Sequence, residues 1–357
     1  MKYFIISVMA LMLLAGCKKE ELIAETVTAA EEYSAENGIP VPSPMWRWTQ
    51  LPTGFAPVYP YTDWNGNNLV MPVGNDIYMM GGSMLEFLYK FNPATQKFQV
   101  HTPTQPGGLG FTQFMPGHKY LFNYGGKIYG GLADYGSDSS YVFAIDPITS
   151  LITQKARFPG VRTPDPVSFL IGNKGYVISG YNSSTPSQVW EYNFATNSWT
   201  NKGLNPLGNR EGIIAHVIEN KVYLGLGYDR TNFNGQQINI FKKDWISYTP
   251  GSQWNAVKAD FPGGGRMNAM GYVLDGQLYI GLGRHSVTGR YKDFWKYNPS
   301  TDSWKQEKDW PGFYGDNDEG YVAPYNVSLF TDGSVGYAVK GASHRLWRYS
   351  TSSLVVL

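Results

Sequence analysis

DGQLYIGLG, residues 275–283, has copies along the chain. ENKVYLGLG stands at 219–227, NKGYVISG at 173–180, GKIYGG at 126–131 and NDIYMMGG at 75–82, with a looser DGSVGYAVKG at 332–341. Their tyrosines are Tyr78, Tyr129, Tyr176, Tyr223, Tyr279 and Tyr337, at spacings of 51, 47, 47, 56 and 58 residues. Six units of about 50 residues are the mark of a repeat architecture, in which each unit is one supersecondary element that buries its apolar surface on its neighbours. Within QLYIGLG, the alternation puts Leu278, Ile280 and Leu282 on one face and Tyr279, Gly281 and Gly283 on the other. Both faces are apolar or small, which predicts a strand covered on both sides.

Each unit carries a second signature downstream. DFWKYNPSTDSW (293–304) is matched by QVWEYNFATNSW (188–199), FLYKFNPATQKF (87–98) and YVFAIDPITSLI (141–152). DWISYTPGSQW (244–254) is one residue shorter, and RLWRYS (345–350) is a fragment. This reads as strand, turn on Asn or Asp with Pro and Thr/Ser, then strand. A first strand precedes the tyrosine strand, as in RMNAMGYVLD (266–275) and REGIIAHVIE (210–219). Four strands in each of six units predict an all-β fold, a six-bladed β-propeller over residues 45–357. The last unit ends soon after its third strand, whereas MWRWTQLP (45–52) resembles the fourth-strand segments SWTNKGLNP (198–206) and SWKQEKDWP (303–311). The N-terminal segment is therefore expected to supply the outer strand of the last blade; a seventh, partial blade is the alternative.

This pattern resembles the kelch-repeat proteins of the galactose-oxidase central-domain type. It is similar in particular to kelch lipoproteins of Bacteroidetes, through KADFPGGGR (258–266) and the GLGY-type strand. The resemblance covers roughly residues 45 to 350 and implies a kelch-type propeller. Galactose oxidase uses copper and a cysteine crosslinked to tyrosine. Cys17 is the single cysteine here, so that radical chemistry has no residue to work with, and no cofactor is expected.

The position of Cys17 gives it another role. Met1-Lys2 is followed by a 14-residue apolar run, Tyr3 to Gly16, too short for a bilayer span of about 20 residues. The order positive, apolar, small predicts a signal peptide over 1–16. Leu14-Ala15-Gly16-Cys17 resembles a lipobox, which implies lipidation of Cys17 and a body tethered by acyl chains. Residues 17–44, with six glutamates and a closing proline cluster, read as a flexible linker. Lys19-Glu20-Glu21 resembles the signal that sends some Bacteroidetes lipoproteins to the cell surface, so an outer-membrane address is expected.

From Met45 onward there are 26 basic and 22 acidic residues with no basic tract, which argues against a nucleic-acid partner. His101, His118, His216, His285 and His344 form no close pair or HExxH, and no metal site is expected. No GxSxG or P-loop occurs, and GDNDEG (315–320) lacks the EF-hand order. The candidates that remain are arginines before first strands: Arg162, Arg210 and Arg266, at equivalent places in three units. In a propeller these would ring one mouth, and a guanidinium suits forked recognition of a carboxylate. Glu211, Asn268, Arg284 and His285 join the same set. The competing reading is that such arginines are scaffold, paired with a carboxylate or a loop carbonyl.

Three functions fit. The first is a non-catalytic binding module for a glycan or protein at a propeller face. The second is a sugar isomerase of the sialic acid mutarotase type, which needs only acid–base groups and a carboxylate clamp such as Arg162, Arg210, Arg266 and Glu211. The third is a structural subunit of an outer-membrane complex.

Overall fold

In the computed structural model the described residues are 45–51, 69–73, 76–81, 87–95, 97–101, 119–132, 140–149, 151–161, 163, 166–180, 182, 184–248, 256–311, 327–340 and 345–352. The expected signal peptide, Cys17, the linker, Arg162, His118, His344 and segment 315–320 lie outside them. The chain divides into two units. One is Met1–Arg47 with Ser350–Leu357, whose described residues are all strand; the other is Trp48–Tyr349.

The larger unit is a β-propeller. Among the described residues six four-stranded antiparallel sheets follow one another: sheet 1 within 69–101, sheet 2 within 119–154, sheet 3 within 167–204, sheet 4 within 214–258 and sheet 5 within 270–306. Sheet 6 combines Val327–Thr331, Gly336–Lys340 and Arg345–Ser352 with the N-terminal strand Met45–Gln50. The repeat tyrosines are buried in every sheet, as are Leu278, Ile280 and Leu282. Tyr176 and Ile178 of sheet 3 pack with Val222 and Leu224 of sheet 4, and Tyr223 and Trp245 of sheet 4 with Leu278 and Tyr297 of sheet 5. Full burial of a side chain such as Leu278 or Ile280 contributes about 1.5–3 kcal/mol. Phe91 of sheet 1 meets Phe330 and Tyr337 of sheet 6, ring centroids 5.8 and 5.4 Å apart, so the last sheet packs on the first.

The local chemistry repeats with the sequence. First and second strands are joined by two-residue turns with both residues left-handed at Gly125-Gly126, Glu219-Asn220 and Asp275-Gly276, the twist a tight hairpin needs. The turn after the third strand is closed by a side chain. Asn92, Asp146, Asn193 and Asn298 each accept backbone N–H bonds on Oδ1 from residues two or three further on. These bonds hold the Asp146 carboxyl below its ordinary range, led by the one from Thr149. At Gly131, Gly225 and Gly281 a Cβ would collide with the carbonyl oxygens of Tyr141, Asp244 and Asp293. Only glycine lets the third strand start this close to the second.

The closing strand behaves as a fourth strand. Trp199, Trp304 and Trp48 each donate their indole N–H to a backbone carbonyl just past the last strand of the preceding sheet: Ala156 at 3.1 Å, Ala259 at 2.8 Å and Lys308 at 3.1 Å. Each packs on the third-strand tyrosine of its own sheet, Tyr192, Tyr297 or Tyr349, at 4.8–4.9 Å. The backbone repeats too: Leu51 N donates to Leu346 O at 2.8 Å, as Glu307 N does to Phe294 O. One detail differs. Tyr192 and Tyr297 donate to Asn197 and Asp302 of their own fourth-strand turns, whereas Tyr349, where no such turn joins the strands, donates to Glu307 of sheet 5.

Candidate functional site

The site lies where second strands end and third strands begin, in sheets 4 and 5. After Gly225 and Gly281 the chain passes through Leu226 and Leu282 at φ 60° and 59°, a left-handed backbone uncommon for a branched residue. Both leucine N–H groups bond to Asp244 O or Asp293 O at 3.3 Å. The leucine carbonyls are held by arginines. Arg266 Nη1 donates to Leu282 O at 2.9 Å, and its fork grips Asp293 at 2.6 and 2.7 Å. Arg210 does the same with Leu226 O at 3.2 Å and Asp244 at 2.7 and 3.0 Å. Arg266 also donates Nε to Gly264 O at 2.9 Å and lies between the rings of Phe261 and Tyr291, at 4.7 and 3.9 Å. Its side chain has no exposure.

At Arg210 and Arg266 this geometry is that of the competing reading, arginines paired with a carboxylate and a loop carbonyl, while Arg162 lies outside the described residues. Arg210 and Arg266 are clasps that hold a strained turn against the start of the third strand of their own sheet; Arg266 is sealed with every nitrogen bonded, and Arg210 is nearly as buried, its Nε 3.5 Å from Asp229. Their carboxylate partners lie 34 and 27 residues downstream.

The two clasps leave two short hairpins between second and third strands. In sheet 4 the insert is Tyr228–Phe233 and Gln236–Phe241, joined at Asn234-Gly235 and extended by Arg210–Glu211 into a three-stranded sheet. In sheet 5 it is Arg284–His285 and Gly289–Arg290. Residues at the base of the two inserts are tied together. Gly227 N donates to Arg266 O at 2.8 Å, Asn268 N to Gly212 O at 3.2 Å, and Met267 and Arg284 exchange backbone bonds at 3.0 Å. The His285 ring lies 4.1 Å from Phe241, and its Nδ1 accepts the N–H of Val287 at 3.1 Å. Backbone bonds thus link the segments that carry Glu211, Asn268 and Arg284, and His285 lies against Phe241 of the sheet 4 insert.

At that end sits an acid–base group. Glu211 is buried, and its Oε2 accepts Arg230 Nε at 2.8 Å and Nη2 at 2.5 Å. Arg230 Nη2 also donates to Tyr228 Oη at 3.2 Å. Burial, with the hydrogen bond and charge of Glu211, pushes the Tyr228 hydroxyl up to about 12. Burial works against the Arg230 charge, but Glu211 outweighs it and raises the guanidinium. Unlike Arg266, Arg230 keeps 31% of its side chain exposed. The trio therefore offers a carboxylate, a phenol that stays protonated at neutral pH and a cation that solvent reaches. Arg230 and Tyr228 escape motif reading because they sit on an insert. Its traces are the 56-residue spacing of this unit and the Asn-Gly flanked by alternating residues in YDRTNFNGQQINIF (228–241). Among the described residues no three His, Cys, Asp or Glu side chains gather as a metal site.

Comparison with known proteins agrees with this architecture. A solved structure of YjhT superposes over 68% of this chain and 83% of its own, with a TM-score of 0.50 and 15% identity, a likeness of fold. In sequence, N-acetylneuraminate epimerase 2 of Escherichia coli O6:H1 is 39% identical over 93 residues. N-acetylneuraminate epimerase of Shigella flexneri serotype 5b is 38% identical over 87 residues. These matches cover 25% and 23% of this chain and span 23% and 21% of the relatives' own length. No family model matches the chain.

Proposed function

We propose that the protein acts on an acidic sugar of the N-acetylneuraminate type and interconverts its anomers. The observation that carries this reading is the 93-residue match to an N-acetylneuraminate epimerase. The geometry of the Glu211 group supports it. Such a sugar closes as a hemiketal whose anomeric carbon bears a carboxylate. To open it, a base removes the proton of the anomeric hydroxyl, the bond from anomeric carbon to ring oxygen breaks, and the ring oxygen takes up a proton. Reclosure on the other face of the resulting ketone reverses these transfers and gives the other anomer, with no redox change.

Glu211 is the base in this scheme, and Tyr228 is the acid that delivers a proton to the ring oxygen, its raised pKa keeping it loaded at neutral pH. Arg230 orients the substrate carboxylate, at an exposure that Arg266 lacks. The test is NMR exchange between the two anomers of N-acetylneuraminate, with and without the protein. Acceleration in proportion to enzyme concentration is expected. Binding of the sugar without acceleration would instead support a non-catalytic glycan-binding module. The same proposal places the protein on the outer membrane through a lipid on Cys17; Cys17→Ser is expected to move it from the membrane fraction to the soluble one, and unchanged fractionation would remove that anchor.

A further inference from the structure

The two faces of the insert in sheet 4 differ in chemistry. Strand alternation and the register of Tyr228–Phe233 on Gln236–Phe241 define its two faces. Arg230 pairs with Asn239, Asn232 with Gln237 and Tyr228 with Phe241, so these six share one face. The opposite face carries Thr231, Phe233, Ile238 and Ile240, together with one amide, Gln236 beside the turn, and Asp229, which binds Lys242 at 2.8 Å. All three side-chain amides of the paired strand residues on Arg230's face are exposed, and all three exposed large apolar side chains of the hairpin lie on the other. Successive pairs on a face stand ~7 Å apart, the scale of one sugar. The Arg230–Asn239 pair is thus flanked by an aromatic step, Tyr228 and Phe241 at 5.4 Å, and by an amide step, Asn232 and Gln237.

We infer that this amide face is the specificity wall of the site and reads the acetamido and polyhydroxyl substituents of the sugar held at Arg230. The inference rests on the proposed function. A carboxylate at Arg230 fixes one end of the ligand, and primary amides beyond it donate to and accept from neutral oxygen and N–H groups without adding charge. Continuity of the wall with Arg230 commits it to the same ligand. It discriminates an acetamido-bearing sugar acid from a plain hexuronic acid, because a polar wall left without its partners weakens the wrong complex.

The experiment measures binding by calorimetry and anomer exchange by NMR for N-acetylneuraminate and for D-galacturonate, which has the carboxylate but neither the acetamido group nor the longer polyol chain. The proteins are wild type, Asn239→Ala, the double variant Asn232→Ala/Gln237→Ala, and Ile238→Ala on the opposite face. Each wall variant is expected to weaken N-acetylneuraminate by about tenfold in Kd and KM, with kcat and galacturonate binding little changed and the melting temperature intact. Ile238→Ala is expected to behave as wild type. Wild-type preference for N-acetylneuraminate with no loss in any wall variant would overturn the wall and leave the proposed function standing. Wild type that binds neither sugar would overturn both.

Discussion

Arg266 with Asp293 and Arg230 with Glu211 are both arginine–carboxylate pairs at the same end of adjacent sheets, yet they do different work. In the first the arginine is sealed, carries a strained turn and has a near copy one sheet earlier in Arg210 with Asp244. In the second the arginine is 31% exposed, reaches the hydroxyl of Tyr228 as well as Glu211, and sits on an insert that lengthens one unit. Recurrence at equivalent repeat positions marks what sheets 4 and 5 share as scaffold. Departure from the repeat marks the place to which the proposed chemistry is assigned. A guanidinium beside a carboxylate is therefore scaffold or site according to whether the repeat supplies it.

That contrast can be broken at several points. Arg266→Ala should have the largest effect on stability, about 3–5 kcal/mol in urea unfolding, because it leaves Asp293 without its fork and the Leu282 carbonyl without its donor. A loss below about 1 kcal/mol would show that the clasp is not structural. Arg210→Ala should cost less, roughly 1–3 kcal/mol, since Asp244 is 43% exposed and water can replace the arginine; an equal or larger loss than Arg266→Ala would overturn this ranking.

A comparable effect is expected from acid. His216 stands on the first strand of sheet 4 opposite Tyr223, and burial pushes its imidazole down to about 4 from an ordinary 6.5. Below pH 6.5 the unfolded chain takes up a proton that the folded chain refuses, so stability is lost as the pH falls from about 6.5 through about 4. The loss between pH 7 and pH 5 should be on the order of 2 kcal/mol. His216→Gln should flatten that slope; an unchanged slope would assign it to other groups. The smallest effect belongs to the closing sheet. Tyr349→Phe removes one hydrogen bond to Glu307 and should cost about 1 kcal/mol, and Tyr297→Phe in sheet 5 should match it if closure is chemically equivalent to an ordinary blade.

The sequence carried most of the scaffold because its determinants are local. The six tyrosines, the Asn/Asp-led turns and the glycine before each left-handed leucine all recur within a few residues of each other. Even the closing strand was legible, since Trp48 has the same neighbours as Trp199 and Trp304 and makes the same bond. The site was legible only in part. Glu211, Asn268, Arg284 and His285 were named by their nearness to strand ends, and they lie on segments linked by backbone bonds or by the contact of His285 with Phe241. Arg210 and Arg266 were named by the same rule, but their partners stand beyond an insert, and pairing across it is tertiary information that no repeat spacing holds. Arg230 and Tyr228 were missed because the insert has no copy to compare.

The most direct test sets the two pairs side by side: anomer exchange of N-acetylneuraminate by NMR for Glu211→Gln and Arg266→Lys, each with its melting temperature. Glu211→Gln should lower kcat by about 10²–10⁴-fold with the melting temperature nearly unchanged, while Arg266→Lys should lower the melting temperature and leave kcat of the folded protein near wild type. Full exchange activity in Glu211→Gln, or a kcat loss confined to Arg266→Lys, would contradict the assignment of chemistry to the insert and scaffold to the clasp.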